Sequence, residues 1–320
     1  MSDAARSDIR VRPFRRGDRD QLTQLVNAHA EAVVPGMSVS VNTVLGSLER
    51  RSGEFIEDPW VSERATLVAE QRGRVAAAAH LLRYFPDDRA GPAARDVGEI
   101  LWLLYWPLAP DGNPCWPDAT AAAEALMTAC AGLLSSWGVT RQHAGGELPV
   151  PGVYGVPEQW PHISGLYQRA GFTHTGHTEV VYLAQVQDLP GPGRAPLDGL
   201  AVRRSVGING CRLSAVVAGE AIGYIETEIL DTGERQARHG GWADVGNLHV
   251  LPGYRRRGVG TWLLGQAADW LRLAQVSRLL DYAWLEGADP TGQRYDDYQA
   301  FLPAVGFREL TRTARGWTRE

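Results

Sequence analysis

The residues best equipped for chemistry lie together in the stretch 247–269, NLHVLPGYRRRGVGTWLLGQAAD. Its apolar run 248–251 is patterned as a strand, and Pro252-Gly253 follows as a turn. Beyond the turn, Leu263, Leu264, Ala267, Ala268 and Leu271 keep helical spacing. A glycine-rich turn that enters a helix leaves several backbone N–H groups unpaired and aimed one way, and the helix dipole adds positive potential there. Such a turn is an anion site that suits a diphosphate. Arg255, Arg256 and Arg257 add charge, while Gly258 and Gly260 have no side chain to hold a ligand off. Three phosphate-binding patterns compete for it. A dinucleotide fingerprint needs a third glycine near Leu263, which is absent, and a P-loop needs a lysine. The chain has no lysine, all 32 basic residues being arginine, so Schiff-base chemistry is excluded as well. The third pattern, Arg/Gln-x-x-Gly-x-Gly/Ala, is matched throughout by Arg255-Arg256-Arg257-Gly258-Val259-Gly260, with Thr261 next in line.

The elements that must position this turn belong to an ordinary globular chain. At 320 residues there is room for two domains, and 44% hydrophobic with 22% charged residues is a soluble composition. The net charge of −5 gives no global field that would favour nucleic acid or an anionic membrane, so the arginine cluster is a local feature. Cys115, Cys130 and Cys211 are odd in number and lack metal or disulfide spacing, which suits a reducing cytoplasm. The opening MSDAARSDIRV has neither a signal-peptide core nor an amphipathic anchor, and no apolar run is long enough to span a bilayer.

In chain order, residues 9–14 alternate like a strand, 18–34 and 41–50 read as helices, and 66–70 with 75–82 read as a hairpin. A nearly all-apolar strand over 99–106 precedes an alanine-rich helix over 118–137. After a Gly/Pro-rich segment come a short helix ending in Gly171-Phe172 and a closing strand, 179–186. Residues 187–199, QDLPGPGRAPLDG as far as Gly199, read as a linker. A second, shorter unit then has strands at 200–205, 212–217, 221–230 and 244–251, with a turn at Asn209-Gly210 and a polar loop over 231–241. The arginine turn and its helix follow, then a strand over 278–285 and a helix over 295–304 before Gly306-Phe307.

On the arginine turn and on this order of elements, the chain resembles the GNAT acyltransferases. Their strand–turn–helix of this form binds the pyrophosphate of acetyl-CoA, and the run Leu166-Tyr167-x-x-x-Gly171-Phe172 resembles a later motif of the family. The Gly-Phe pairs of the two halves are offset by 135 (306 − 171) and their central-strand carboxylates by 145 (244 − 99), which marks an internal duplication. The expected fold is therefore α/β with mixed sheets flanked by helices, as two tandem GNAT-like folds. The expected domains are 1–186, a degenerate first unit, a linker 187–199, and 200–320, the unit that binds acetyl-CoA. In the first unit the place of the turn is taken by 109–118, APDGNPCWPD. Pro110, Pro114 and Pro117 have no N–H to donate, and Asp111 and Asp118 would repel a diphosphate.

Acyl transfer from a thioester to an amine needs a deprotonated amine, a polarised carbonyl and a protonated thiolate. The resemblance implies Asp244 as base, six residues before Val250 (250 − 244), on the strand where many relatives carry a glutamate. His249 is an alternative, although an odd spacing from Asp244 turns it to the opposite face unless a bulge intervenes. Glu226 and Glu228 share a face and could bind a cationic acceptor. The family polarises the carbonyl with a strand N–H, here that of Val250, and pairs the pantetheine with the backbone of Leu248 and Val250. The family's acidic tyrosine falls on Leu302 in the second half, so Tyr298 one turn earlier, Tyr167, Tyr295, Tyr282, or no acid at all, are open. Trp262, Trp270 and Trp284 read as core or pocket wall. The function expected is acetyl-CoA-dependent N-acyl transfer to an amine of a small molecule or peptide, with no nucleic-acid or membrane partner. The alternative is a CoA-binding regulator without catalysis. The second unit lacks the two helices that would wall an acceptor cleft, which leads us to expect that the first unit contributes to acceptor specificity.

Overall fold

The structure is a computed structural model and describes residues 8–49, 60–107, 116, 118–208, 210–230, 241–285 and 295–319. The first half of the chain runs β1 (Ile9–Pro13), α1 (Arg19–Val33), α2 (Val41–Leu48), β2 (Val61–Gln71), β3 (Arg74–Tyr84) and β4 (Val97–Tyr105). It continues through α3 (Ala119–Ser136), β5 (Arg141–Ala144), β6 (Val156–Pro157), α4 (Pro161–Arg169), β7 (Thr173–His174) and β8 (Thr178–Gln185). The second half has β9 (Ala201–Gly207), β10 (Gly210–Val217), β11 (Glu220–Leu230), β12 (Gly241–Val250) and α5 (Val259–Leu273). It ends with β13 (Val276–Trp284), α6 (Tyr295–Ala304), β14 (Arg308–Ala314) and β15 (Trp317–Arg319). Most of loop 109–118, with Cys115, most of loop 231–241 and Asn209 lie outside the described residues. No helix among the described residues is long and apolar enough to cross a membrane.

Local chemistry explains the elements. In α1, Leu22, Leu25, Val26, Ala30 and Val33 recur at helical spacing and are all buried. Ser40 starts α2 by accepting a hydrogen bond from the Thr43 N–H, an N-cap. In α5, Val259, Leu263, Leu264, Ala267, Ala268 and Leu271 form the buried stripe that closes the core of its unit.

Two compact units divide the chain: Met1–Thr178 with Thr313–Glu320, and Glu179–Arg312. The first carries the sheet β1-β2-β3-β4-β5-β15-β7, and in the second the order runs β9-β10-β11-β12-β13-β8-β14. Both are mixed sheets, with the parallel pairs β4/β5 and β12/β13 in equivalent places. The sixth strand of each unit comes from the other half of the sequence. β8, expected to close the first unit, stands beside β13 in the second, with Leu280 against Leu183 and Tyr282 against Val181. β15 fills that place in the first unit. The domain boundaries expected at 186 and 200 are therefore shifted. The strand pattern is silent on this, because a run buried on both faces fits the interior of either sheet.

The segment expected to be a linker is likewise part of the second unit. Arg272 donates to the carbonyls of Val186 and Leu189 at 2.9 and 2.7 Å, and Leu189 is buried. A Cβ on Gly265 of α5 would come within 2.4 Å of the Gly191 carbonyl oxygen, so only glycine admits the segment there. Pro/Gly composition reports missing regular structure, and packing against a helix is compatible with that. Expression of 200–320 alone removes β8 and this brace together. That fragment is expected to be insoluble or to lack a cooperative thermal transition, which a melting curve checks.

Candidate active site

The arginine turn builds as its sequence implies. β12 ends at Val250, a single 3-10 turn covers Pro252–Tyr254, and α5 begins at Val259. Trp262 N–H makes the first intrahelical bond, to the Gly258 carbonyl at 3.0 Å. The N–H groups of Val259, Gly260 and Thr261 come before it, and no side chain caps the helix. Gly258 has φ +81, a left-handed conformation that suits glycine. Arg256 holds φ +59 without that freedom, at a cost on the order of 1 kcal/mol.

The three arginines divide their tasks. Arg255 turns inward and its Nε donates to the Val250 carbonyl at 2.8 Å, tying the turn to the strand end. Arg256 lines the cavity and pairs with Asp297 of α6 at 2.5 Å, both largely exposed. Arg257 lies over the Tyr254 ring at 5.7 Å and, like the buried Val259, does not line the cavity with its side chain.

β12 supplies the second wall. It pairs with β13 only from Gly241 to Asp244, whose partner is Leu280. Among the described residues that register ends there. On the other side, Leu251 N–H donates to the Ile222 carbonyl of β11 at 2.9 Å. Alternation along a strand then turns the N–H groups of Val250 and Leu248 toward the open edge. A cavity of about 290 Å³ joins this edge to the turn, lined by Leu248, Val250, Gly258, Gly260, Tyr298 and Phe301 among others. A Cβ on Gly260 would lie 3.8 Å from Phe301, so the cradle is shaped by backbone.

A bulge brings the two candidate bases to one face of β12. Against β11, Asn247 faces Glu226 while Val245 faces Thr227, which leaves Gly246 as the extra residue. The extra residue restores parity, so Asp244 and His249 share the face opposite α5. Tyr282 donates to Asp244 Oδ1 at 3.2 Å. Glu228 stands directly across from Asp244, and two carboxylates so placed favour a cation between them. Glu226, the other acid expected to meet an acceptor, is buried and held by Arg212 at 2.5 Å. It is therefore an internal ion pair. Trp262 is buried in the core, as the sequence suggested.

Of the tyrosines, Tyr298 faces the cavity, and its hydroxyl donates to Asp281 Oδ2 at 2.6 Å. Tyr167 is buried in the first unit and donates to the Gly145 carbonyl at 2.7 Å. Burial pushes both hydroxyls well above their ordinary range. Asp281 was missed in the sequence. Its one signal is an acid inside an otherwise apolar strand, RLLDYAW.

The first unit repeats the bulged strand of this design. Its bulge leaves out Leu101 between Leu81↔Ile100 and His80↔Trp102. The two bulges are thus also 145 apart (246 − 101), and Glu99 and Asp244 each lie two residues before one. Tyr84 donates to Glu99 at 2.5 Å, as Tyr282 does to Asp244, and burial raises the Glu99 carboxyl. Beyond the β4/β5 pairing, however, Gly145 and Glu147 donate to the carbonyls of Ile100 and Leu101 at 2.9 and 3.1 Å. The chain after β5 thereby stays bonded to β4 as far as its bulge.

Residues 186–290 match the family described as acetyltransferase (GNAT). No curated protein matches the chain. A tandem GNAT protein from the clavulanic acid biosynthesis pathway, solved without AcCoA, is similar over 98% of this chain and 98% of its own, with a TM-score of 0.64 and 17% identity. A GCN5-related N-acetyltransferase from Sphaerobacter thermophilus is similar over 100% of this chain and 96% of its own, with a TM-score of 0.59 and 14% identity. At such identities these two likenesses concern the fold, and they run through both units. The second half thus matches the acetyltransferase (GNAT) family over the arginine turn, and the chain as a whole has the fold of tandem GNAT proteins.

Proposed function

We propose that the second unit is an acetyl-CoA-dependent N-acetyltransferase that takes one acetyl-CoA per chain. The observation that carries this reading is a single cavity joining the uncapped start of α5 to the edge of β12 beyond its pairing with β13. The N–H groups of Gly258 to Thr261 would hold the diphosphate, with Arg256 as the adjacent charge. Leu248 and Val250 would pair with the pantetheine as an added strand. Bound there, acetyl-CoA supplies the activated acyl group.

The remaining work falls to side chains of this unit. Asp244 takes a proton from the acceptor ammonium, which it attracts together with Glu228. The Val250 N–H is turned to the open edge, where it can stabilise the developing oxyanion. Tyr298 gives its hydroxyl proton to the departing sulfur. A thiol with a pKa of ~8.5 is a fair leaving group, so this acid contributes without being indispensable. Tyr298→Phe is expected to lower kcat by about 10-fold to 100-fold, at the low end for general acid catalysis, and to leave acetyl-CoA affinity unchanged. Thiol release from acetyl-CoA, measured with a panel of small primary amines and short peptides, tests the activity. Binding without turnover across that panel would favour the regulator instead.

A further inference from the structure

The group least expected beside this cavity is Asp281. It is only 3% exposed, on the face of β13 that carries Leu279 and Ala283 into the core. A buried carboxylate ordinarily has a cation for a partner. Here both oxygens are engaged by neutral donors: Oδ2 by the Tyr298 hydroxyl at 2.6 Å, Oδ1 by the Tyr282 N–H at 2.7 Å. The titratable groups that face it are Tyr298 from α6, Tyr182 opposite it on β8, Glu179 further along β8, and Asp244 on β12. None of them is a cation.

A tyrosine hydroxyl has one proton. While Tyr298 donates it to an ionised Asp281, none points into the cavity. With Asp281 protonated the bond reverses, because the carboxyl now donates to the Tyr298 oxygen and frees the phenolic proton for the cavity. We propose that Asp281 is a positioning residue that sets the direction of the Tyr298 proton, so that this acid works only while Asp281 is itself protonated. The inference rests on the proposed role of Tyr298. In the transfer step the carbon–sulfur bond breaks with its pair on sulfur, Tyr298 gives that sulfur its proton, and Asp281 replaces it. Asp281 ends ionised and accepting from Tyr298, and solvent reloads it. Burial, followed by the charges of Asp244 and Glu179, raises the carboxyl to about 7 against the lowering effect of the Tyr298 and Tyr282 bonds. The switch therefore operates near neutral pH.

Asp281→Asn separates this from a structural role, because the amide donates permanently to Tyr298 as the protonated acid does. The first readout needs no substrate. The folded carboxyl keeps a proton that the unfolded one releases between about pH 4 and pH 7, so wild-type stability falls relative to Asp281→Asn across that window and the difference levels off above it. Melting temperatures of both proteins from pH 4 to pH 9 should diverge in this way. A difference that does not change with pH overturns the proposal. The second readout is thiol release from acetyl-CoA with the best amine of the panel. Wild-type kcat should carry a descending limb above pH 7. Asp281→Asn should lose that limb and keep a kcat between those of the wild type and Tyr298→Phe, because its amide directs the Tyr298 proton but cannot replace it, while a folded Asp281→Leu falls to the level of Tyr298→Phe. An unchanged limb in Asp281→Asn also overturns the proposal. Full kcat in Tyr298→Phe would instead remove the acid on which it rests, and with it any catalytic meaning for Asp281.

Discussion

Gly260→Asp is expected to abolish acetyl-CoA binding, while Gly260→Ala keeps it. The alanine methyl meets only ordinary contacts, 3.8 Å from Phe301 and 3.9 Å from Val250, so the fold should tolerate both variants. The aspartate sets a negative charge at the helix N-terminus, where the N–H groups of Val259, Gly260 and Thr261 await an anion. Its carboxylate can accept those donors itself, which would improve helix stability while excluding the diphosphate. Each charge-assisted hydrogen bond lost costs about 1.5–3 kcal/mol, so losing two weakens binding by at least about 100-fold. Gly258→Asp should give the same loss by a different route. Its φ of +81 disfavours any L side chain, and its Cβ would press on Pro196 at 3.3 Å. Calorimetry should return one site per chain for the wild type and no measurable heat for either aspartate variant. Two sites, or an intact affinity in Gly260→Asp with a normal melting curve, would defeat the assignment to this turn. The reason to expect no second site is the segment 109–118 of the first unit, where Pro110, Pro114 and Pro117 have no N–H to offer a diphosphate.

Asp244→Asn is expected to lower turnover by about 10²–10⁴-fold, the usual cost of a lost general base, with acetyl-CoA affinity unchanged. Asp244 occupies the last paired position of β12 against β13, where the strands separate, and Tyr282 steadies its carboxylate. The amide keeps the size and one acceptor but cannot take a proton. The increase of kcat/KM with pH should flatten accordingly, because the loss is greatest where the carboxylate did most. Retention of full activity at every pH would move the role to another group. His249 is the nearest alternative, since the Gly246 bulge brings it to the same face. His249→Ala measured beside Asp244→Asn decides between them.

What the sequence determined by itself was local. The spacing of Leu263, Leu264, Ala267, Ala268 and Leu271 requires a helix, and glycines at 258 and 260 require a backbone-lined start for it. The 145-residue offset between Glu99 and Asp244 was visible before any fold was known, and the offset of the two bulges agrees with it. These features depend on neighbours within a turn or two of chain, and residue types record such neighbours directly. What only the tertiary structure decided depends on partners far apart in sequence. β8 and β15 are exchanged between sheets, because an apolar strand satisfies its backbone against whichever edge is presented to it. The Gly246 bulge exists only relative to β11, so the shared face of Asp244 and His249 could not be read from β12 alone. Arg255, Arg256 and Arg257 are identical in type, yet the Val250 carbonyl, Asp297 and the Tyr254 ring give them three different tasks. Asp281 meets Tyr298 only once α6 lies against β13, and desolvation in that buried place sets the carboxyl's proton affinity.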